Sequence, residues 1–364
     1  MTSFAISVPV GAWHPVLPET LESLVSQGTD VQIAVLDASD DPRVEALAEK
    51  YCERLAHVRH GPDLGQSDAI LEGWAAVGGD FLGWLNADDV LAPGALAKVK
   101  QTLMSRDAPD VVTGHSVVSD ENLRLTGYHW AVEPPTDKIL RECTISQPST
   151  FFRRSAHDHV GGLQRELQYT MDWDLWIRFW REGCRFAFVD DVLSRVLWGA
   201  DTKTGQFNRA RRAELDRLIS ANQSVRARFN SRLGFAVHHF LEKPLFRRFA
   251  PVVRRRMAPH LQPIFGLGAD GEVFEQAEIP VFHFRREPAT SIRLELEAPA
   301  AQSLDFEFGT ESFTLPRGEE VAEFQLANPL PANETREAVM FVPNTDGVRL
   351  ACLELLFEAS VGNE

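Results

Sequence analysis

The chain predicts an α/β domain on a mostly parallel sheet, followed by a basic helical extension and a C-terminal antiparallel β-sandwich-like domain. Three observations carry that prediction. Residues 1 to about 115 alternate short apolar runs with stretches of helical spacing, as strands joined by helical crossovers require. Between Lys203 and Arg256 the sequence is helical in pattern and rich in arginine, ending in Arg254-Arg255-Arg256. Farther on, Ile292-Arg293-Leu294-Glu295-Leu296-Glu297 and Leu304-Asp305-Phe306-Glu307-Phe308 alternate with period two, as antiparallel strands with one buried face do. The expected boundaries are 1–204, 205–262 and 263–364.

Taken in order, strands are expected at 4–8, 31–36, 56–59, 80–85 and 111–114. Each is a short apolar run, of the kind a strand covered by helices on both faces shows. Helices are expected between them at 18–27, 42–54, 67–77 and 93–105. Pro18, Pro42 and Pro93 stand at helix entries, where a missing N–H costs no hydrogen bond. Farther along, 174–180 has helical aromatic spacing and 186–189 reads as a strand. The C-terminal part adds strands at 292–297, 304–308 and 348–352.

A chain of 364 residues is too long for one ordinary core. Its 44% hydrophobic and 24% charged residues are those of a soluble globular protein, and no apolar run approaches membrane-spanning length. The first residues read as a strand, not as a signal peptide. Four scattered cysteines (Cys52, Cys143, Cys184, Cys352) lack metal-ligand spacing and suit a reducing cytoplasm. A net charge of -15 argues against nucleic-acid binding. Within 226–256, apolar and basic residues interleave, a pattern that suits either peripheral contact with an anionic membrane or a solvated helical linker. The expected location is therefore the cytoplasm, or the cytoplasmic face of the inner membrane.

The chemistry gathers at strand ends. The first strand runs into Pro9-Val10-Gly11-Ala12, and the second into Asp37, a carboxylate able to accept from a nucleobase N–H or to cap a helix. Asp63-Leu64-Gly65-Gln66-Ser67-Asp68-Ala69 is a glycine turn leading into a helix, which brings backbone N–H groups near a ligand. The run Phe81-Leu82-Gly83-Trp84-Leu85-Asn86-Ala87-Asp88-Asp89 stops an apolar strand in adjacent carboxylates. Open α/β sheets bind ligands at that edge. Asp88 and Asp89 there either hold a hard divalent cation or cap the segment that follows. Later come Gln147-Pro148-Ser149-Thr150, Gly161-Gly162 and Met171-Asp172-Trp173-Asp174-Leu175-Trp176.

In this order and with these residues, positions 1–200 resemble the inverting family-2 glycosyltransferases of the GT-A fold, a Rossmann-like architecture. The nearest patterns are bacterial, with GQxDA, WLNxDD and MDxDLW segments. The resemblance implies transfer of a sugar from a nucleotide-diphosphate donor, expected to be a UDP-sugar, to a hydroxyl of a saccharide or lipid-linked acceptor during polysaccharide biosynthesis at the bacterial cell envelope. It also implies a Mg²⁺ or Mn²⁺ cofactor held by Asp88. Pro9, Asp37, Gly65, Gln66, Asp68, Asn86 and Asp88 would contact the donor, and Asp172 would be the catalytic base. Asp89 would support Asp88, and Asp174 would be a helix cap or ion-pair partner. Gln147, Trp173 and Trp198 would face the acceptor, although Trp173, Trp176 and Trp198 also suit a core.

The sequence departs from that family at three places. Pro9-Val10-Gly11-Ala12 replaces the usual Pro-x-Tyr-Asn, and Leu71 stands where asparagine is common. Arg195-Val196-Leu197-Trp198 lacks the late histidine many relatives carry. Two other functions compete. One is a catalytically silent sugar-nucleotide-binding scaffold, against which the presence of both Asp88 and Asp172 argues. The other is a nucleotidylyltransferase, whose Gly-rich basic loop is missing after Val8. Neither the oligomeric state nor the role of the C-terminal domain follows from the sequence.

Overall fold

The computed structural model describes residues 3–28, 30–119, 125–129, 137–140, 142–197, 209–222, 233, 261–263, 265–267, 273–282, 288–331, 335–341 and 348–357. The chain forms two compact units, the first from residues 1–117 and 129–240, the second from 118–128 and 241–364.

In the first half of the chain, β1 (Phe4–Val10), α1 (Leu17–Val25), β2 (Val31–Asp37), α2 (Pro42–Lys50), β3 (Leu55–His60), α3 (Gln66–Ala76) and β4 (Phe81–Trp84) alternate as expected. β5 (Val90–Leu91), α4 (Ala95–Leu103), β6 (Val111–Ser119) and β7 (Leu125–His129) follow. Next come β8 (Thr150–Arg153), α5 (Arg154–His159), α6 (Met171–Arg181), β9 (Phe186–Leu197) and α7 (Arg209–Asn222).

Strands β3, β2, β1 and β4 lie side by side in parallel. β8 then pairs antiparallel to β4 and to β6, and β9 pairs antiparallel to β5. The sheet is therefore mostly parallel in its first half, with antiparallel strands added at one side. Every residue of β1 is buried, because helices cover both faces. Phe4, Ile6, Val8 and Val10 join one core with Leu17, Leu21, Leu96 and Val99 of α1 and α4. Ala5 joins the other, with Ile70 and Trp74 of α3 and Trp173, Trp176 and Phe179 of α6.

An aromatic column ties β4 to α6. The Trp84 and Trp176 rings stack with centroids 5.9 Å apart, and Trp176 stacks on Phe179 at 5.9 Å. The strand that leads to Asn86 and the helix beginning at Met171 thus share one packed core. Gly83 lets Phe151 lie against β4, since a Cβ there would come within 2.6 Å of the Phe151 ring. Phe151 is also held edge-on by Phe4. Gly83→Ala is expected to destabilise the first unit by ~1–3 kcal/mol through overpacking, read as a lower midpoint in urea unfolding.

Some boundaries differ from the sequence reading. α6 begins at Met171, three residues before the expected start, so Asp172 lies inside its first turn. β9 extends to Leu197, well past residue 189, because its far half pairs with β5. α7 lies in the stretch read as a basic extension, yet its Leu215, Leu218 and Ile219 pack into the core of the first unit. Apart from Leu233, the 226–256 stretch lies outside the described residues. No helix among the described residues is long and apolar enough to cross a membrane.

The second unit is antiparallel. β10 (Leu261–Pro263) precedes a sheet of β11 (Phe265–Leu267), β12 (Val273–Phe282), β17 (Thr335–Phe341), β14 (Leu304–Phe308) and β15 (Glu311–Leu315), in that spatial order. A second sheet has the order β16 (Val321–Leu330), β13 (Ala289–Leu296), β18 (Leu350–Phe357). Burial along β14 alternates as its sequence does: Leu304, Phe306 and Phe308 are inside, Asp305 and Glu307 outside. Ile292 and Leu294 of β13 share their core.

Candidate active site

The carboxyl ends of the parallel strands carry Pro9, Asp37 and the run Asn86–Asp89. Asp37 ends β2 and is 3% exposed. Its Oδ1 accepts from the Ser39 N–H at 2.8 Å and from the Ser39 hydroxyl at 2.5 Å, while Oδ2 meets His60 Nδ1 at 2.8 Å. Asp37 is not a helix cap. Asp41 caps α2, accepting from the Arg43 N–H. The Arg43 guanidinium lies 4.8 Å from the Trp13 ring centre and pairs with Asp41, holding the Asp41 carboxyl down to about 2. Pro9 is buried within β1, and the exposed residues of that edge are Gly11 and Ala12.

Gly65, with φ of 121°, turns the chain into α3. Most other residues are strained at such an angle. Asp63 secures the turn by accepting the Gly65 N–H at 2.8 Å. Gln66, the first residue of α3, donates from Nε2 to Asn86 Oδ1 at 2.6 Å. Asn86 Nδ2 donates to Asp89 Oδ2 at 2.9 Å and to Gln147 Oε1 at 3.2 Å. Gln147 Nε2 in turn donates to the Trp84 carbonyl at 2.8 Å.

Four side chains from three parts of the sequence therefore interlock at the end of β4. Gln147 was expected on the acceptor side. Its 3₁₀ turn, Gln147–Ser149, lays its amide over the β4 terminus. That turn is anchored by a buried hydroxyl cluster: Ser116 Oγ lies 2.5 Å from Ser146 Oγ and 2.8 Å from the hydroxyls of Ser149 and Ser194.

Neither Asp88 nor Asp89 caps a helix. α4 begins after Gly94, with no side-chain cap. Asp88 is half-buried, and Asp89 is 3% exposed. Burial and the adjacent Asp88 charge push the Asp89 carboxyl well above its ordinary range, against hydrogen bonds from Asn86 and the Leu197 N–H. Asp68 is engaged by an ion pair with Arg165.

Asp172 is the second residue of α6, and its Oδ1 accepts the Trp173 N–H at 2.7 Å. Desolvation raises its carboxyl above the usual range, opposed by that bond and by the charge of Arg211 on α7. The Cys143 thiol is pushed up by burial and by the Asp172 charge, which puts Cys143 among its neighbours. Asp174, the rival carboxylate, pairs with Arg178 four residues on, at 2.7 Å and 2.8 Å. Trp173 does not form an acceptor wall. It is 3% exposed and donates its indole N–H to the Ile139 carbonyl at 2.5 Å, inside the core. Trp176 is likewise fully buried, and Trp198 lies outside the described residues.

One neighbouring pair joins the two halves of this site. Gln66 bonds Asn86, while Ser67 donates its hydroxyl to the Leu167 carbonyl at 2.9 Å and lies 2.8 Å from Met171 Sδ. The end of β4 and the start of α6 thus meet on the first turn of α3.

Residues 11–161 match the family model for glycosyl transferase family 2. That span holds the Gly65 turn and the Asn86–Asp89 run, and stops short of Asp172. The uncharacterized glycosyltransferase RP339 of Rickettsia prowazekii is 22% identical over 218 residues, covering 56% of this chain and 67% of that protein. An O-antigen biosynthesis protein, RfbC, of Myxococcus xanthus is 28% identical over 174 residues, covering 46% of this chain and 13% of that protein. Among solved structures, residues 1–349 of Staphylococcus aureus TarS in complex with UDP-GlcNAc give a TM-score of 0.46 at 15% identity, over 70% of this chain and 78% of that one. The chain therefore resembles family-2 glycosyltransferases through its first unit, which is built on a mostly parallel α/β sheet.

Sequence reasoning passed over His60, Trp13 and Arg211. His60 falls one residue beyond the expected third strand. In the parallel register, it stands directly opposite Asp37.

Proposed function

We propose that the first unit transfers a sugar, with inversion, from a nucleotide-diphosphate donor to a hydroxyl of a saccharide or lipid-linked acceptor in cell-surface glycan synthesis. What supports the reading above all is the joint of Gln66 and Ser67, which brings the carboxylates at the end of β4 and Asp172 to one helix end. Asp37 would accept an N–H of a uracil base at its buried edge. Gln66, Asn86 and Gln147 fix the β4 terminus, so that Asp88 meets the diphosphate in a set orientation.

Among the described residues, no three His, Cys, Asp or Glu side chains cluster as a metal cage. The donor set still fits Mg²⁺ or Mn²⁺, because such ions are commonly held by one or two carboxylates together with substrate phosphates. Asp88 would hold the ion, with Asp89 behind it. Bound there, the cation would neutralise charge on the departing diphosphate. On the opposite side, Asp172 takes the proton of the attacking hydroxyl. Partial desolvation suits that task, because it makes the carboxylate more basic than an exposed one. We place the activity in the cytoplasm, with 226–256 as the segment that would touch an anionic membrane.

Donor turnover measured against pH tests this reading. The base acts only when ionised, so turnover should rise with pH through the Asp172 ionisation. Its acid limb should lie above the ordinary aspartate value of about 3.9. No turnover of any nucleotide sugar, or an acid limb at or below that value, contradicts it.

A further inference from the structure

Glu214 is a buried charge that the chemistry above leaves unused. It lies on α7 and is 7% exposed. Oε1 accepts the Gln168 N–H at 3.0 Å, and Oε2 accepts the Tyr169 N–H at 2.8 Å and the Thr170 N–H at 3.2 Å. The Thr170 hydroxyl approaches Oε2 at 3.4 Å. These groups form the turn that enters α6. Thr170 is the residue before its first turn and makes no capping bond with its own side chain. The carboxylate from α7 instead holds the three amides just before the helix, across 44 to 46 residues of sequence.

An apolar residue would pack as well beside Leu215, Leu218 and Ile219. A carboxylate buried among them is tolerated because it is fully occupied by donors. Its bonds are charge-assisted, and a negative charge is favoured at a helix start. Asp172 follows two residues after Thr170. Arg211, three residues before Glu214 on α7, exerts its charge on Asp172. The same turn is held from its other side by α3, through the Ser67 bond to the Leu167 carbonyl.

We propose that Glu214 is a positioning residue that fixes the turn 168–170 and, through it, the Asp172 carboxylate, making α7 a working part of the transfer site. This rests on the assignment of Asp172 as the base. The carboxylate locks three consecutive amides at the root of the base, so that Asp172 cannot swing with a frayed helix end. Nucleotide binding at the end of β4 does not depend on it.

The test is Glu214→Gln in the full chain. Glutamine keeps the size but can accept through one oxygen only, so at least one of the three amides loses its partner. Amide exchange in a peptide spanning 166–174 is expected to speed up about tenfold or more, the effect of losing a charged hydrogen bond. Donor turnover at saturation should fall about tenfold or more, with donor KM held within about twofold.

Leu218→Ala, which loosens α7 without touching the turn, should lower Tm and leave the saturating rate unchanged. Unchanged exchange in Glu214→Gln overturns the proposal, as does faster exchange with an unchanged rate. An equal loss of rate in Leu218→Ala overturns it too, since the effect would then be general loosening. If the parent chain turns over no nucleotide sugar, the functional reading fails. Amide exchange in Glu214→Gln still decides whether the clamp exists.

Discussion

Asp172→Asn is expected to lose sugar transfer by ~10²–10⁴-fold, the range general-base removal gives, while binding nucleotide donor as the parent does. Asparagine preserves the side-chain shape, and its oxygen can still accept the Trp173 N–H that Asp172 Oδ1 accepts at 2.7 Å. What it cannot do is take a proton. The fold should not suffer. Burial raises the Asp172 carboxyl. A carboxyl raised on folding opposes the native state increasingly as pH climbs from its unfolded value through its folded one. Asparagine removes that penalty, so Tm at neutral pH should be equal or higher than in the parent. Reduced transfer with retained nucleotide binding and unchanged Tm would locate the defect in the chemical step. Full transfer activity would remove Asp172 from the mechanism and leave Asp174 to be considered, although its ion pair with Arg178 already commits it elsewhere.

Asp88→Asn is the second large expected effect. A cation facing a departing diphosphate supplies several kcal/mol of stabilisation. Losing its anionic ligand should therefore lower turnover by ~10²–10³-fold. It should also abolish any Mn²⁺-dependent rise in Tm with UDP, because a ligand that binds only the native state stabilises it by mass action. Asp89→Asn should do less to turnover, since Asp89 faces Asn86 and the Leu197 N–H and is disfavoured as an anion. Equal losses in the two variants would mean that the pair, not Asp88, carries the charge.

The order of strands and helices through β4 was legible because each strand is a short apolar run closed by polar or turn residues. The C-terminal strands were legible because their alternation matches a single buried face, as Leu304, Phe306 and Phe308 show. The start of α6 was not, because Met171-Asp172-Trp173 gives no capping signal of its own. The turn that leads into it is held by Glu214, more than forty residues away and invisible to local pattern. The surroundings of Trp173 and Gln147 were hidden for a related reason. Trp173 has the spacing of a core aromatic, and its indole is satisfied by the Ile139 carbonyl. Gln147 is drawn to the β4 end by a hydroxyl cluster whose members, Ser116, Ser146, Ser149 and Ser194, are spread over 78 residues. Motif residues pointed to the chemistry to look for, and long-range hydrogen bonds set where Gln147 and Trp173 lie in the fold.

The most direct test of the account is the anomeric configuration of the sugar first released or transferred from a panel of nucleotide sugars, followed by ¹H NMR in Mn²⁺ buffer. A single displacement with Asp172 as base predicts a product inverted at the anomeric carbon, formed by the parent chain and lost in Asp172→Asn. A product that retains the donor configuration, or cleavage of no nucleotide sugar at all, would contradict it.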